Sequence, residues 1–443
     1  MFNDIYLKSP AFVQNLALSA YGYKMYRDRF GGGIPSAYTE LGDPLLPPNE
    51  SDFEFQEERL QSLLQHCVKY VPHYQKLLTK CDWRAITCKN ISQYLPVLTK
   101  KDILKDPESF LSTAPDFQKK LKLNTSGSSG TPMNIYSSYE ARRINYCFYQ
   151  QILASQGADY RSKSTTFAGR VLYKDGSKSL DRYDYYNNTQ YLSTYFISSD
   201  TIERYISSLN KWQPIFIDAY PSALLQIRQL AKEKDLSIDF KPRFIITSSE
   251  TLTPTAREKI EEFFCTKIID HYGCTEMTVS AVSTGGQYFA SPLYSLIELE
   301  HKYESSYSVI TTGLLNFAMP LIRYEIGDTI STENPAMPYV FDSVEGRVDD
   351  VIITPEGRRV GRIDPAFKGI EGVELAQIIQ YRTDSLEISI VLDKNKRHLF
   401  NEKLLVENIR SRTSPHMRVN INYQSHIEKS RNGKFKSVIN AIK

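Results

Sequence analysis

Between residues 201 and 276, amphipathic stretches and apolar runs alternate with a regularity that few folds can accommodate. Helical spacing from Thr201 to Trp212 is followed by a strand-like run from Pro214 to Ala219 and a helix from Ser222 to Lys234. A strand from Phe244 to Ser248, a helix from Pro254 to Phe264 and a strand from Lys267 to His271 complete the series. This alternation predicts βαβ units and a mainly parallel sheet. Such sheets hold ligands beyond the carboxyl ends of their strands. Three polar segments fall there: Tyr220-Pro221-Ser222, Ser248-Ser249-Glu250 and Tyr272-Gly273-Cys274-Thr275-Glu276.

With 443 residues the chain is longer than one hydrophobic core usually supports, so a large domain plus a small one is expected. Residues 1–120 read as a mostly helical lead-in, with Phe55, Leu60, Leu63, Leu64, Cys67 and Val68 at helical spacing and a helix end at Val71-Pro72. Strand-like runs over 294–300 and 307–312 add a β-rich part. Residues 374–443 then show a strand at 386–392, a helix at 400–410 and a strand at 418–423. The expected fold class is α/β: a large multi-sheet N-terminal domain with βαβ units, residues 1–347, and a small mobile α+β C-terminal domain, residues 348–443.

Fifty-four Lys and Arg face 51 Asp and Glu without a dense basic block, so nucleic acid is not an expected partner. The six cysteines lie at 67, 81, 88, 147, 265 and 274 without CxxC pairing, and no secretory signal is recognisable. They read as reduced thiols of a cytoplasmic protein. No apolar run is long enough for a transmembrane segment. Phe2, Tyr6, Phe12 and Tyr21 could make a peripheral membrane contact, but they are expected to pack onto the body of the protein.

The stretch from 121 to 138 is shaped for phosphate. Apolar residues at 121, 123, 133 and 135 alternate with polar ones and predict two short strands around the loop Thr125-Ser126-Gly127-Ser128-Ser129-Gly130-Thr131-Pro132. Glycines let backbone approach a ligand, and backbone N–H groups and hydroxyls are neutral donors to anionic oxygens. A Ser/Gly hairpin turn is the plain alternative on composition. Ser137-Ser138-Tyr139-Glu140 resembles a capping box opening a helix to about Gly157.

This loop is similar to the phosphate-binding loop of the adenylate-forming enzymes, which comprise acyl-CoA synthetases, luciferases and peptide-synthetase adenylation domains. Further motifs follow in that superfamily's order. Tyr272-Gly273-Cys274-Thr275-Glu276 resembles its Tyr-Gly-x-Thr-Glu segment, which implies an adenine face at Tyr272, nucleotide contacts at Gly273 and Thr275, and Mg²⁺ at Glu276. Tyr324-Glu325-Ile326-Gly327-Asp328 resembles the segment in which the aspartate, here Asp328, accepts the ribose hydroxyls. Gly346-Arg347-Val348-Asp349-Asp350 resembles the interdomain hinge, implying that Arg347 contacts nucleotide and the chain pivots at Asp349. Asn432-Gly433-Lys434-Phe435 matches the segment whose lysine, here Lys434, acts during adenylation.

Within the superfamily the chain looks most like the phenylacetate-CoA ligase branch, especially members associated with capsular polysaccharide biosynthesis. Asn316 to Tyr324, Ala219 to Ser222 and Thr247-Ser248-Ser249-Glu250 carry that likeness and add Ser249 and Glu250 to the nucleotide site. The Cys and His common in the branch around the segment here written 283–288 are absent, which puts any acceptor or metal role carried by them in doubt.

The resemblance implies an ATP- and Mg²⁺-dependent, AMP-forming ligase that activates a small carboxylic acid and passes the acyl group to a thiol, amine or hydroxyl acceptor. Coenzyme A is the usual thiol acceptor, whereas capsule-associated relatives suggest an amine or hydroxyl. A non-catalytic nucleotide- or glycan-binding homologue stays open, and a homodimer accords with the likeness. Phe167, Arg170, Tyr220 and Ser222 are candidates for the acid pocket, Arg170 as a partner for an extra anion. The tyrosine-rich segment 173–195 suits a hydroxylated acid or, equally, an exposed β-hairpin.

Overall fold

The computed structural model describes residues 6–33, 38, 42–124, 133–169, 172–173, 177, 179–347, 352–356, 359–360, 363–367, 370–428 and 435–442. The chain is mixed α/β and forms two compact units, one of residues 1–20, 161–270 and 345–443, the other of residues 21–160 and 271–344.

The first unit contains the parallel sheet read from the sequence. Ser164–Ala168, Phe216–Ala219 and Phe244–Ser248 pair in parallel, with Ser164 beside Phe216 and Phe216 beside Phe244. Thr189–Ser193 runs parallel on the other side of Ser164–Ala168, and Asp181–Asp184 closes the edge as the antiparallel arm of a hairpin. The helices Ile202–Trp212, Pro221–Glu233 and Pro254–Phe264 alternate with these strands. Ile217, Ile245, Leu209, Leu224 and Ile260 are fully buried. The unbroken run Phe244-Ile245-Ile246 befits a strand covered on both faces. Two helices stop at left-handed residues that are not glycine: Gln213 at φ 50° and Cys265 at φ 51° return their N–H groups to Leu209 and Glu261.

The same unit holds a second sheet, in the order Arg418–Tyr423, Ser385–Leu392, Val373–Arg382, Val438–Asn440. Its central pair is antiparallel and its outer pairs are parallel. The helix Glu402–Arg412 covers it through Leu405 and Ile409, against Leu386, Ile388 and Ile390. This small sheet is tied to the parallel lobe by a buried charge cluster. Arg228 Nη1 donates to both oxygens of Glu374 at 3.0 and 3.1 Å, while Lys259 Nζ lies 3.6 Å from the same carboxylate and donates to the Val373 carbonyl at 2.7 Å.

In the second unit, Glu50–Tyr70 ends two residues before Pro72, with Val71 between, and a separate helix, Pro72–Leu78, starts on that proline. Leu121–Asn124 and Asn134–Ser137 pair antiparallel, Leu121 opposite Ser137, so the expected strands do frame the glycine-serine loop. The loop itself, 125–132, lies outside the described residues. The following helix, Tyr139–Ser155, is capped by Ser138, which accepts from the Ala141 N–H. The expected box used Ser137, but that residue is the last of its strand, so the cap falls one residue later. Ser295–Tyr303, Ser306–Gly313 and Tyr324–Ser331 form an antiparallel meander in this unit.

A second expectation fails at the N-terminal helix, Ala11–Phe30. Phe12 and Tyr21 do not pack onto the body but are 67% and 52% exposed, whereas Gln14 and Asn15 are buried. Tyr6 is half-buried as expected, and Phe2 lies outside the described residues. No helix among the described residues is long and apolar enough to cross a membrane.

Removing one member of a buried ion cluster leaves the others without compensation, which typically costs about 3–5 kcal/mol. Glu374→Ala is therefore expected to lower unfolding stability by about that amount, measured by denaturant titration. A loss below about 1 kcal/mol would contradict the role given to this carboxylate.

Candidate active site

One group of site residues lies in the second unit. The strand Ile268–Gly273 carries Tyr272 and Gly273 as its last residues, and Cys274, Thr275 and Glu276 follow on a turn. A Cβ at Gly273 would stand 3.3 Å from the His271 ring and 3.4 Å from the Val279 carbonyl, so a side chain there would need these neighbours to shift by a few tenths of an ångström. Tyr272 donates its hydroxyl to Asp328 Oδ2 at 2.9 Å, and its ring meets Phe341 edge-on at 6.3 Å. Asp328 follows Gly327, whose φ of +80° is a left-handed conformation that suits glycine. The two motifs, 56 residues apart, thus form one aromatic-carboxylate pair.

Arg323, just before the second motif, is also left-handed at φ 53°. Its Nε donates to both oxygens of Glu298 at 3.1 and 3.0 Å, and its Nη1 to the Leu95 carbonyl at 2.6 Å. The side chain anchors the strand that carries Asp328. Cys274 Sγ lies 3.4 Å from Thr278 Oγ1. Burial, aided by the Glu276 charge, pushes the Cys274 thiol up to about 12. It is therefore a neutral thiol near pH 7, not a nucleophilic thiolate. Thr275 is exposed and Glu276 half-buried.

A second group lies in the first unit. Glu250 accepts from the Ser222 N–H at 3.0 Å and from its hydroxyl at 3.0 Å. Ser222 is the second residue of the helix Pro221–Glu233, so this carboxylate satisfies an open N–H at the helix start, where negative charge is favoured. The same Glu250 accepts from the Phe435 N–H at 2.5 Å. Ser249, beside it, is exposed and left-handed at φ 70°. Phe167 is packed in the core of the parallel lobe, Tyr220 lies partly buried against that core, and Ser222 is buried.

Lys434, Arg170, Asp349 and the loop residues Thr125, Ser126, Gly127, Ser128, Ser129, Gly130 and Thr131 lie outside the described residues, as does the side chain of Arg347. Within the tyrosine-rich segment, Asp181–Asp184 and Thr189–Ser193 form a β-hairpin whose Asp184 accepts from Asn187 and Tyr186 in its turn.

Sequence reasoning missed two features of the second group. One is the Phe435 amide as a partner of Glu250. The other is the buried bond from Thr247 Oγ1 to Asp270 Oδ1, 2.5 Å, between successive strands. Both depend on tertiary placement and have no local signature. Among the described residues no cluster of three or more His, Cys, Asp or Glu could hold a metal ion.

Burial lowers His271 to about 4, and its Nε2 lies 3.1 Å from Ser280 Oγ. The folded state thus resists protonating a ring that an unfolded chain protonates near pH 6.5. The stability this represents is present above pH 6.5 and is lost as pH falls toward 4, by up to about 3 kcal/mol. In His271→Gln, the difference in unfolding free energy between pH 7 and pH 4.5 is expected to shrink accordingly. An unchanged pH dependence would show that His271 carries none of it.

Residues 352–441 match the family model of the CapK C-terminal domain. Over its whole length the chain is 27% identical to Protein CapK of Staphylococcus aureus, with 100% of both chains covered. Its fold is similar to that of 2-hydroxyisobutyryl-CoA ligase in the postadenylation state, in complex with R3-HIB-AMP, with a TM-score of 0.65 at 17% identity over 90% of this chain and 95% of that one. An open conformation of that ligase with 2-HIB-AMP and CoA gives a TM-score of 0.53, at 17% identity over 90% and 96%. The anthranilate CoA ligase AuaEII, in complex with anthranoyl-AMP, gives 0.50 at 14% identity over 78% and 73%.

Proposed function

We propose that this chain, which has the fold of the adenylate-forming CoA ligases and ends in a match to the CapK C-terminal domain, is an ATP-dependent, AMP-forming carboxylate ligase. The observation that carries the reading is the 2.9 Å bond between Tyr272 and Asp328. It joins an aromatic ring and a two-oxygen acceptor, which are the groups an adenine base and a ribose cis-diol require. The full-length likeness to Protein CapK supports a place in polysaccharide or specialised-metabolite biosynthesis.

In the first half-reaction, a substrate carboxylate oxygen attacks the α-phosphorus of ATP. A new P–O bond forms, the bond to pyrophosphate breaks, and acyl-adenylate results. The segment 125–131 holds the β and γ phosphates, Tyr272 and Asp328 hold the nucleoside, and Arg347 contacts the nucleotide. Lys434 neutralises charge between the carboxylate and the α-phosphate. Glu250 accepts from the amide of Phe435, the residue that follows Lys434 in sequence. Glu276 is the residue that would hold Mg²⁺, which usually takes one or two carboxylates plus substrate phosphates, and the bound ion supplies charge neutralisation.

In the second half-reaction, an acceptor attacks the acyl carbon and AMP leaves with the oxygen first contributed by the acid. We place the domain border at 347/348 and the pivot at Asp349, which lets the small domain admit the acceptor. A coenzyme A thiol is the acceptor favoured by the ligases of similar fold, one of them described with CoA bound. Acid- and ATP-dependent loss of free CoA thiol would test that choice.

Catalysis by positioning and charge predicts that Lys434→Ala slows acid-dependent ATP–pyrophosphate exchange by roughly 10²- to 10³-fold. Near-normal exchange in that variant would remove Lys434 from the mechanism. Acid-independent ATP binding without any exchange by the parent protein would favour the non-catalytic homologue.

A further inference from the structure

The N-terminal half of the helix Ala11–Phe30 buries polar side chains and exposes apolar ones, while Tyr26 and Phe30 near its end pack against Tyr160. Its buried positions include Gln14 and Asn15, while Phe12 is 67% exposed and Leu16 60% exposed. Exposed residues at 12, 16, 20, 23 and 27 follow steps of four, four, three and four, so Phe12, Leu16, Ala20, Tyr23 and Arg27 lie along one helical face.

The inward face explains why the helix stays in place without burying that stripe. Asn15 Oδ1 accepts from the Tyr183 N–H at 3.0 Å, and Ser19 Oγ accepts from the Tyr185 N–H at 2.9 Å. Gln14 accepts from Arg182 Nε and donates to the Tyr6 carbonyl at 2.7 Å. Tyr183 belongs to the edge strand Asp181–Asp184, and Tyr185 directly follows it. The polar side of the helix therefore occupies N–H groups that an open edge would otherwise present.

Charge identifies what the outward face fits. The helix carries Lys24, Arg27 and Arg29 against one acid, Asp28, and Lys8 lies just before it. Lys8, Lys24 and Arg27 are exposed, and Arg27 lies over the Tyr23 ring at 5.9 Å. Exposed apolar and aromatic side chains beside a net positive charge suit the headgroup region of an anionic bilayer.

We infer that the face of this helix bearing Phe12, Leu16 and Tyr23 docks the protein on an anionic lipid surface, lying in the interface without crossing it. The protein would then work beside a membrane, a placement independent of the ligase chemistry.

The test is sedimentation of the full-length protein with two kinds of vesicle, one of equal parts phosphatidylglycerol and phosphatidylcholine, the other of phosphatidylcholine alone. Binding is expected to the anionic vesicles, weakened by added salt. Phe12→Ser with Leu16→Ser should reduce it about tenfold or more, because the apolar insertion is lost. Lys24→Glu with Arg27→Glu should reduce it by a similar factor through charge. These side chains are exposed, so both variants should keep the parent unfolding transition, checked in parallel. No sedimentation with anionic vesicles, or equal sedimentation of parent and folded variants, would overturn the inference. So would a concentration-dependent dimer that Phe12→Ser with Leu16→Ser abolishes in the absence of lipid binding, which would make a second copy the occupant.

Discussion

Glu250 joins parts of the chain that sequence separates widely. Its carboxylate takes the amide and hydroxyl of Ser222, at the start of a helix that follows a parallel strand, and the amide of Phe435, near the end of the chain. Bonds to an ionised acceptor are roughly twice as strong as neutral ones. Losing this carboxylate would leave the helix start with an open donor and the Phe435 amide without this acceptor. The Arg228, Lys259 and Glu374 cluster holds the same two parts of the first unit together by a different route. The small sheet is thus held at one point by charge buried from water and at another by a carboxylate beside the candidate site.

The alternation of helix and strand from 201 to 276 was legible because both periods are local: 3.6 residues for the helices and apolar runs for the strands. The pairing of Phe216–Ala219 with Phe244–Ser248 agrees with it closely. The strands around residues 125–132 were legible for the same reason. Site residues were readable where a motif is itself local, as with Gly327 before Asp328, where a left-handed backbone calls for glycine.

Partners made by tertiary approach were not readable. Nothing near Glu250 in the sequence points to Phe435, and nothing near Thr247 points to Asp270. The N-terminal helix shows the opposite difficulty. Its aromatic residues suggest packing inward, but the unpaired N–H groups of an edge strand compete for the helix, and Asn15 and Ser19 satisfy them directly. Backbone hydrogen bonding therefore decides which face turns in, against the usual preference for apolar burial.

The central claim is that the acid's own oxygen is transferred to AMP, and heavy-oxygen labelling tests it directly. An accepted acid whose carboxylate carries heavy oxygen is turned over with ATP and an acceptor, and the AMP formed is weighed by mass spectrometry. Adenylation predicts AMP bearing one heavy oxygen from the acid. Unlabelled AMP, or release of ADP with the label in inorganic phosphate, would contradict an acyl-adenylate and with it the roles given to Asp328, Glu276 and Lys434.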